Sequence, residues 1–258
     1  MILTAGVIVM ILVAMTYASD MLNTKMGENE FKTNQQFMQT AGQQIDDIAW
    51  TIGRTQTVSY SSRFGQINFE PAVLTYTVEV YHAASSTWET LPISIQTGIV
   101  LYNMPLSSYS IINGYFQRIP NDANNSFLLT GSSAAITQVF VTQKIPMTAG
   151  NYLRIVVVPT VRVLESVSAS STKIYIPELT NGTSHYNTQS LTMTGNGITK
   201  AVESGITKIR ITATFPQAVS GFDSAFFNFN SVSETKNLSQ SSLVELYVGE
   251  LRVTIGNV

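Results

Sequence analysis

The chain has 258 residues, no cysteine, a formal net charge of −2 and only 12% charged residues, about half the share found in typical soluble domains. The absence of cysteine excludes disulfides and thiolate metal sites, and the two histidines, His82 and His185, are too few for a three-histidine zinc site. The chain has no basic excess, which argues against nucleic acid as a partner, and its 44% hydrophobic content is enough for a large core.

The chain begins with the apolar stretch MILTAGVIVMILVAMTYASD, in which Asp20 is the first charged residue. The stretch is almost wholly apolar as far as Tyr17, and Gly6 is its only weak helix former, so it predicts a helix. A helix of about 20 residues is roughly 30 Å long, which is the thickness of a bilayer core. A helix that is hydrophobic on all sides must lie in lipid or in a packed bundle.

The next segment keeps helical character but becomes amphipathic. Apolar residues recur there at the spacing of one helix face. They form a predicted stalk stripe of Phe31, Met38, Ala41, Ile45, Ile48 and Ile52. Asn34 interrupts this stripe. Asp46 and Asp47 flank it, and their charge is compatible either with solvation or with a contact to the following domain.

Three glycines punctuate this helical region. Gly27 and Gly42 are candidate bend points, because each costs about 1 kcal/mol relative to alanine in a helix interior. Gly53 is a candidate stop. We therefore expect one helix from Met1 to about Thr51, with a length of about 75 Å.

After Gly53 the apolar period changes to two, which is the period of a β-strand. LTYTVEVY places Leu74, Tyr76, Val78 and Val80 on one face, and further candidates are TKIRITATF, ITQVFVTQ, KIYIP, SLTMT and two short runs around Gly249. TAGN and TGNG are typical of turns. Many short strands with regular turns predict a sandwich or barrel. The expected fold class is α+β, with a long apolar N-terminal helix at residues 1–53 and an all-β head at residues 54–258.

One strand candidate is apolar on both faces. YLRIVVVP has no polar alternation from Ile155 to Val158, which is typical of a strand that is covered on both sides. A two-layer sandwich usually leaves one face of each sheet in water. We therefore expect the sheet to pack also on the N-terminal helix or on a neighbouring subunit.

Three interpretations of the first twenty residues remain open. A secretory signal has an apolar region of about 7–15 residues after a positive segment, whereas this run is longer and has no preceding positive charge, although Thr16 and Ala18 could form a cleavage site. A simple membrane anchor below a β ectodomain explains the apolar run but not the amphipathic continuation. A helical filament subunit explains both, since the apolar helix lies in the membrane before assembly and in the filament core afterwards.

The third interpretation agrees with a resemblance of this chain to a known protein family. An uninterrupted apolar N-terminal helix that continues into an amphipathic stalk and then a β-rich head resembles the type IV pilin superfamily, and within it archaeal pilins and archaellins. The resemblance covers residues 1–55 by pattern and the rest only by class. It implies an immunoglobulin-like head, processing by a prepilin peptidase, and assembly machinery driven by ATP. It leaves open whether Met1 is the initiator or a processed end.

One departure separates the chain from bacterial type IV pilins. Those carry a glutamate near the start of the helix, where this chain has Ala5 and no acid before Asp20. The archaeal branch often lacks that glutamate. Because the head is large and the stalk long, an adhesive pilus is preferred over a motility filament, with the archaellin and a membrane-anchored β receptor as alternatives.

The resemblance also implies partners and sites. The partners would be further copies of the chain, the membrane before assembly, the pilus assembly machinery, and surfaces or other cells. The residues expected to form the polymerisation core are Ile2, Leu3, Val7, Ile8, Val9, Ile11, Leu12, Val13 and Tyr17.

Sites of other kinds are sparse in the sequence. No G-x-S-x-G, H-E-x-x-H or phosphate-loop pattern occurs, so we expect no catalytic, cofactor or metal site. Three N-x-[ST] sequons, at Asn124, Asn181 and Asn237, fall in turn-like regions and are glycosylation candidates if the chain is exposed at a cell surface.

Overall fold

The structure is a computed structural model that describes residues 2–120, 125–131, 136–182 and 189–256. It begins with α1 (Ile2–Ile48), continues through eleven strands, a 3₁₀ turn (Ala218–Ser220) and α2 (Ser224–Phe227), and ends with a twelfth strand. The strands are β1 (Thr55–Ser59), β2 (Gln66–His82), β3 (Thr87–Thr90), β4 (Ile95–Pro105), β5 (Tyr115–Ile119), β6 (Leu128–Thr130), β7 (Thr137–Gln143), β8 (Tyr152–Pro159), β9 (Val161–Ser166), β10 (Ser171–Asn181), β11 (Ser190–Thr214) and β12 (Ser233–Gly256).

The predicted α+β class is confirmed: one long apolar helix precedes a mostly-sheet domain, and about half of the described residues are in strands. The helix contains no proline, so its hydrogen-bond ladder is continuous over residues 2–48. It ends at Ile48, a few residues earlier than expected. Gly53 follows in a turn with a φ of +80°, a backbone conformation that glycine adopts without strain.

The strands of the described residues form one hydrogen-bonded sheet that folds over itself into two layers. Its path runs β5-β7-β8-β4-β2-β11-β12-β10-β9-β6, with β1 paired to β11 and β3 to β2. The long β11–β12 ribbon joins the layers, because residues 206–214 pair with β2 whereas residues 190–203 pair with the part of β12 that lies beside β10. Between these two parts the register shifts near Gly205.

The main core lies between the two layers and follows the predicted alternation. Leu74, Tyr76, Val78 and Val80 of β2 all point into it and are fully buried. Across the core, the Thr97 hydroxyl of β4 accepts a hydrogen bond from the backbone N–H of Leu179 in β10 (3.0 Å). This bond ties the facing layers together in the way expected of a sandwich.

A second core lies between the outer face of the sheet and α1. Ile155 and Val157 of β8 belong to this core, while Val156 and Val158 belong to the core between the layers. The expectation that YLRIVVVP is covered on both faces is therefore confirmed, and the N-terminal helix provides the second cover. The head thus has three layers where α1 crosses it.

Two predicted strand breaks are wrong. TGNG lies inside β11, where the register shifts between Gly195 and Gly197, and Gly249 lies inside β12. Both glycines mark a close approach of backbone rather than a turn. A Cβ at Gly195 would lie 2.5 Å from the Thr51 carbonyl oxygen, and one at Gly249 would lie 2.4 Å from that of Ala49. The end of α1 therefore rests on the sheet where side chains are missing.

Candidate assembly surface on the N-terminal helix

The first half of α1 projects away from the head. Every side chain from Gly6 to Met26 is exposed, and the large apolar ones in this apolar segment are 43–73% accessible. The exposed residues include Val7, Ile8, Val9, Ile11, Leu12, Val13 and Tyr17, all expected in the polymerisation core. The side chains of Ile2 and Leu3 lie outside the described part of the chain. Large contiguous apolar surfaces of this kind mark interaction sites in soluble proteins.

The apolar segment also satisfies the length and composition of a membrane-spanning helix. Both of its threonine hydroxyls in residues 6–26 are already satisfied by the helix itself. Thr16 donates to the carbonyl oxygen of Leu12 (2.8 Å), and Thr24 donates to that of Asp20 (2.9 Å). These hydroxyls can therefore be buried in lipid or in a helix bundle without losing a hydrogen bond.

Contact with the head begins abruptly at Gly27. A Cβ there would lie 2.6 Å from the carbonyl oxygen of Ser108, in the loop after β4. Gly42 is likewise a contact point, since the Thr137 hydroxyl donates to its carbonyl oxygen (2.6 Å). α1 continues through both glycines as one element, and at each of them the missing side chain allows close approach of the head.

The stalk stripe is buried against the head in five of its six predicted positions. Phe31, Met38, Ala41, Ile45 and Ile48 are at most 3% accessible. Asn34, which interrupts the stripe, is also buried, and its side-chain amide donates to the carbonyl oxygen of Glu30 (3.0 Å). The stripe faces β4, β7 and β8, and the ends of β11 and β12 complete its cover.

Ile52 is the sixth predicted member of the stripe, and its placement there is wrong. Its side chain is 65% exposed. The helix ends at Ile48, so the 3.6-residue period that would place Ile52 on the buried face no longer applies.

Ile45 and Ile52 therefore form a matched pair for mutation. We expect Ile45→Ala to lower the free energy of unfolding by about 2–4 kcal/mol, because it leaves a cavity between α1 and the sheet. Ile52→Ala should change it by less than about 0.5 kcal/mol. Chemical denaturation of both variants in detergent measures the difference, and equal effects would contradict the packing described here.

A carboxylate joins the helix to the head at a point that sequence reasoning missed. Glu30 of α1 reaches the loop between β1 and β2, where residues 62–65 direct donors at it. Its acceptor bonds come from the Ser62 hydroxyl (2.6 Å), the backbone N–H groups of Arg63 (2.9 Å), Phe64 (3.0 Å) and Gly65 (3.1 Å), and the Tyr102 hydroxyl (2.8 Å). Five donors on one charged group form a strong and specific contact.

The environment of Glu30 favours its ionised form. Partial burial raises the pKa of the carboxyl, but the hydrogen bonds from Ser62, the Arg63 backbone and Tyr102 outweigh burial and hold the pKa below the ordinary value of 4.5. Glu30 therefore contributes to the stability of the helix–head contact wherever it is charged. No local pattern around Glu30 in the sequence indicates this role, because its donors come from distant parts of the chain.

Asp46 has the opposite environment. It lies in the last turn of α1 and accepts a hydrogen bond from the backbone N–H of Ile136 (2.9 Å). Burial raises the pKa of the carboxyl to about 6, and the neighbouring Asp47 adds to the effect. The free carbonyl groups at the helix C-terminus also disfavour a negative charge. Of the two predictions for this pair, head contact holds for Asp46, while Asp47 is exposed.

We expect Asp46→Asn to stabilise the protein at neutral pH. The folded pKa lies above the unfolded value of 3.8, so wild type loses stability as the pH rises from about 4 to 6, and the asparagine variant does not. The advantage should be absent at pH 4 and reach about 1–2 kcal/mol above pH 7. Thermal unfolding of both proteins across this pH range measures it, and a pH-independent difference would contradict the assigned environment.

Two of the three glycosylation candidates can be placed. Asn181 is the last residue of β10 and is exposed. Asn237 is also exposed, but it lies inside β12 opposite Lys208 and not in the expected turn, because the ribbon of β11 and β12 is longer than the sequence suggested. Asn124 lies outside the described residues. Glycan attachment at all three stays a prediction.

The rest of the described chain offers little chemistry. Among residues 2–120, 125–131, 136–182 and 189–256, no three histidine, aspartate or glutamate side chains lie together as a metal site requires. The Nε2 atom of His82 lies 3.2 Å from a carboxylate oxygen of Glu89. The feature that most needs a partner is therefore the apolar segment.

Comparison with known proteins adds no relative. The chain matches no protein-family model, no curated protein and no solved structure.

Proposed function

We propose that the chain is a structural subunit of an extracellular helical filament, of the kind formed by archaeal type IV pilins. The observation that carries the proposal is the apolar segment, an all-round apolar helix with no cover from its own head. Such a helix needs lipid or other helices around it. Copies of the chain would supply those helices, and the membrane would hold the subunit before assembly.

The continuity of α1 favours a filament over a simple anchor. The helix runs without interruption from the apolar segment into the stalk, which is fixed to the head by the buried stripe and by Glu30. The apolar segment is thus a rigid extension of the head, about 30 Å long. In a bundle of such helices each head would have a defined place on the outside. An anchor for a lone ectodomain has no need of this rigidity.

The energy available is sufficient for a stable polymer. Burying about 1,000 Å² of apolar helix surface per subunit at about 25 cal/mol per Å² gives roughly 25 kcal/mol before entropy losses. Assembly uses different surfaces on each copy, so it does not close and the filament grows. We infer an adhesive role, with the heads facing surfaces or other cells, and extraction from the membrane by a pilus assembly machinery.

A truncation tests the proposal. Removing residues 2–26 should leave the head folded, because residues 6–26 are all exposed and give it no cover. After detergent removal, the full chain should sediment as large particles and the truncated chain as a monomer. A full chain that stays monomeric, or a truncated chain that still polymerises, would contradict the proposed function.

A further inference from the structure

Charge is almost absent from the part of the helix that a filament would bury. Residues 1–26 contain only two charged side chains, Asp20 and Lys25. The described residues provide no ion pair or hydrogen bond to the Asp20 carboxylate, and the hydroxyls of Thr16 and Thr24, one turn away on either side, donate to backbone carbonyl groups of the helix. A carboxylate that loses water without gaining a partner strongly destabilises the structure that buries it. Asp20 therefore needs a cation once neighbouring helices cover it.

The cation cannot come from the same helix. Lys25 lies five residues after Asp20, which places it about 140° around the helix axis and about 7.5 Å further along it. Pairs that face each other on a helix are three or four residues apart. Neighbouring copies are the other source of a cation in a bundle, because the helices lie side by side and each carries the same two charges.

Lys25 can leave its contact within the single chain and pair with Asp20 of a neighbouring copy. In the single chain its ammonium group contacts Glu28 (2.8 Å), but Lys32 contacts the other oxygen of the same carboxylate (2.7 Å). The group of three charges has one excess positive charge. Glu28 keeps a counter-ion through Lys32 when Lys25 turns away. The excess cation and the unpaired anion are complementary.

We propose that Asp20 of one subunit pairs with Lys25 of a neighbouring subunit in the filament. This inference rests on the proposed function and adds the register of assembly. The two residues lie on different sides of the helix, so the contact is head-to-tail and repeats without closing. It also sets an axial offset of about 7.5 Å between the paired helices. The length of the lysine side chain allows the offset to be somewhat smaller or larger.

Cysteine cross-linking tests the pairing directly, because the chain has no cysteine of its own. The lysine side chain spans more distance than a disulfide does, so a bifunctional maleimide with a spacer of similar length is the suitable cross-linker. Filaments assembled from an equal mixture of D20C and K25C subunits, each with a single cysteine, should give covalent dimers on a denaturing gel after treatment with this cross-linker. Filaments of D20C alone or K25C alone should give monomers.

Charge exchange provides an independent readout. Asp20→Lys and Lys25→Asp should each lower the yield of sheared filaments at least about tenfold, and the double exchange should restore it. Ser19→Lys is the matched control, since it adds a cation next to Asp20 that does not face it on the helix, and its combination with Lys25→Asp should not restore the yield. The amount of each variant in the membrane fraction corrects for insertion.

The outcomes separate this inference from the function on which it rests. Wild-type filaments together with mixed D20C and K25C filaments that give no dimer, an equal amount of dimer from D20C alone, or a double exchange without rescue would each overturn the pairing and leave the filament intact. Absence of wild-type filaments would overturn both.

Discussion

Val9→Asp and Leu12→Asp should each abolish filaments while the head still folds. Both side chains are nearly 60% exposed in the single chain, so neither substitution affects the packing of the subunit. In a helix bundle the new carboxylate would be buried without a partner, at a cost of several kcal/mol per copy. Since every 1.4 kcal/mol is tenfold in an equilibrium constant, filament yield should fall at least about a hundredfold. Electron microscopy of sheared material measures the yield.

Two controls make this result specific. Ile52→Asp places the same charge on an equally exposed isoleucine outside the helix, and it should assemble normally. Val9→Trp stays apolar and enters the membrane, but its bulk disturbs a close-packed bundle. It should therefore accumulate in the membrane fraction and give few filaments. Normal assembly of both Val9 variants would show that this part of the helix is not the filament core.

Among substitutions outside the hydrophobic cores, Glu30→Ala should cause the largest loss of subunit stability. It leaves five donors from the head without their acceptor, and we expect the free energy of unfolding to fall by about 2–4 kcal/mol. Glu28→Ala is the matched control, because Glu28 contacts only lysines of the same exposed helix surface and should matter far less. Denaturation in detergent compares the two.

The effect of Glu30 should also depend on pH. Its folded pKa is lower than the ordinary 4.5, so its contribution is fully present above about pH 4.5 and is lost as the pH falls through the folded pKa. The difference in stability between wild type and Glu30→Gln should therefore shrink in acid. A difference that stays constant from pH 7 to pH 3 would mean that the charge of Glu30 does not hold the contact.

The features that follow from local periodicity could be predicted from the sequence. The seven-residue spacing of Phe31, Met38 and Ile45 predicted the buried stripe, and the double apolar character of Ile155–Val158 predicted cover on both faces of that strand. These predictions succeed because the spacing of apolar residues along the sequence determines which face of a helix or strand is buried.

The features that depend on distant contacts could not be predicted. Gly195 and Gly249 looked like turn signals, but they are gaps into which the end of the helix fits. Glu30 looked like one polar residue among many, because the residues that bind it come from a loop and a strand far away in the sequence. Ile52 failed for a related reason, since the contact of the helix end with the sheet ends the helix before that residue.

The most direct test of the central claim is negative-stain electron microscopy of material sheared from cells that produce the chain, with mass spectrometry to identify it. We predict long filaments composed of this chain, in which the heads lie outside and the apolar segments are resistant to protease. Finding the chain only in the membrane fraction, as single particles, would contradict the account and favour a membrane-anchored β ectodomain.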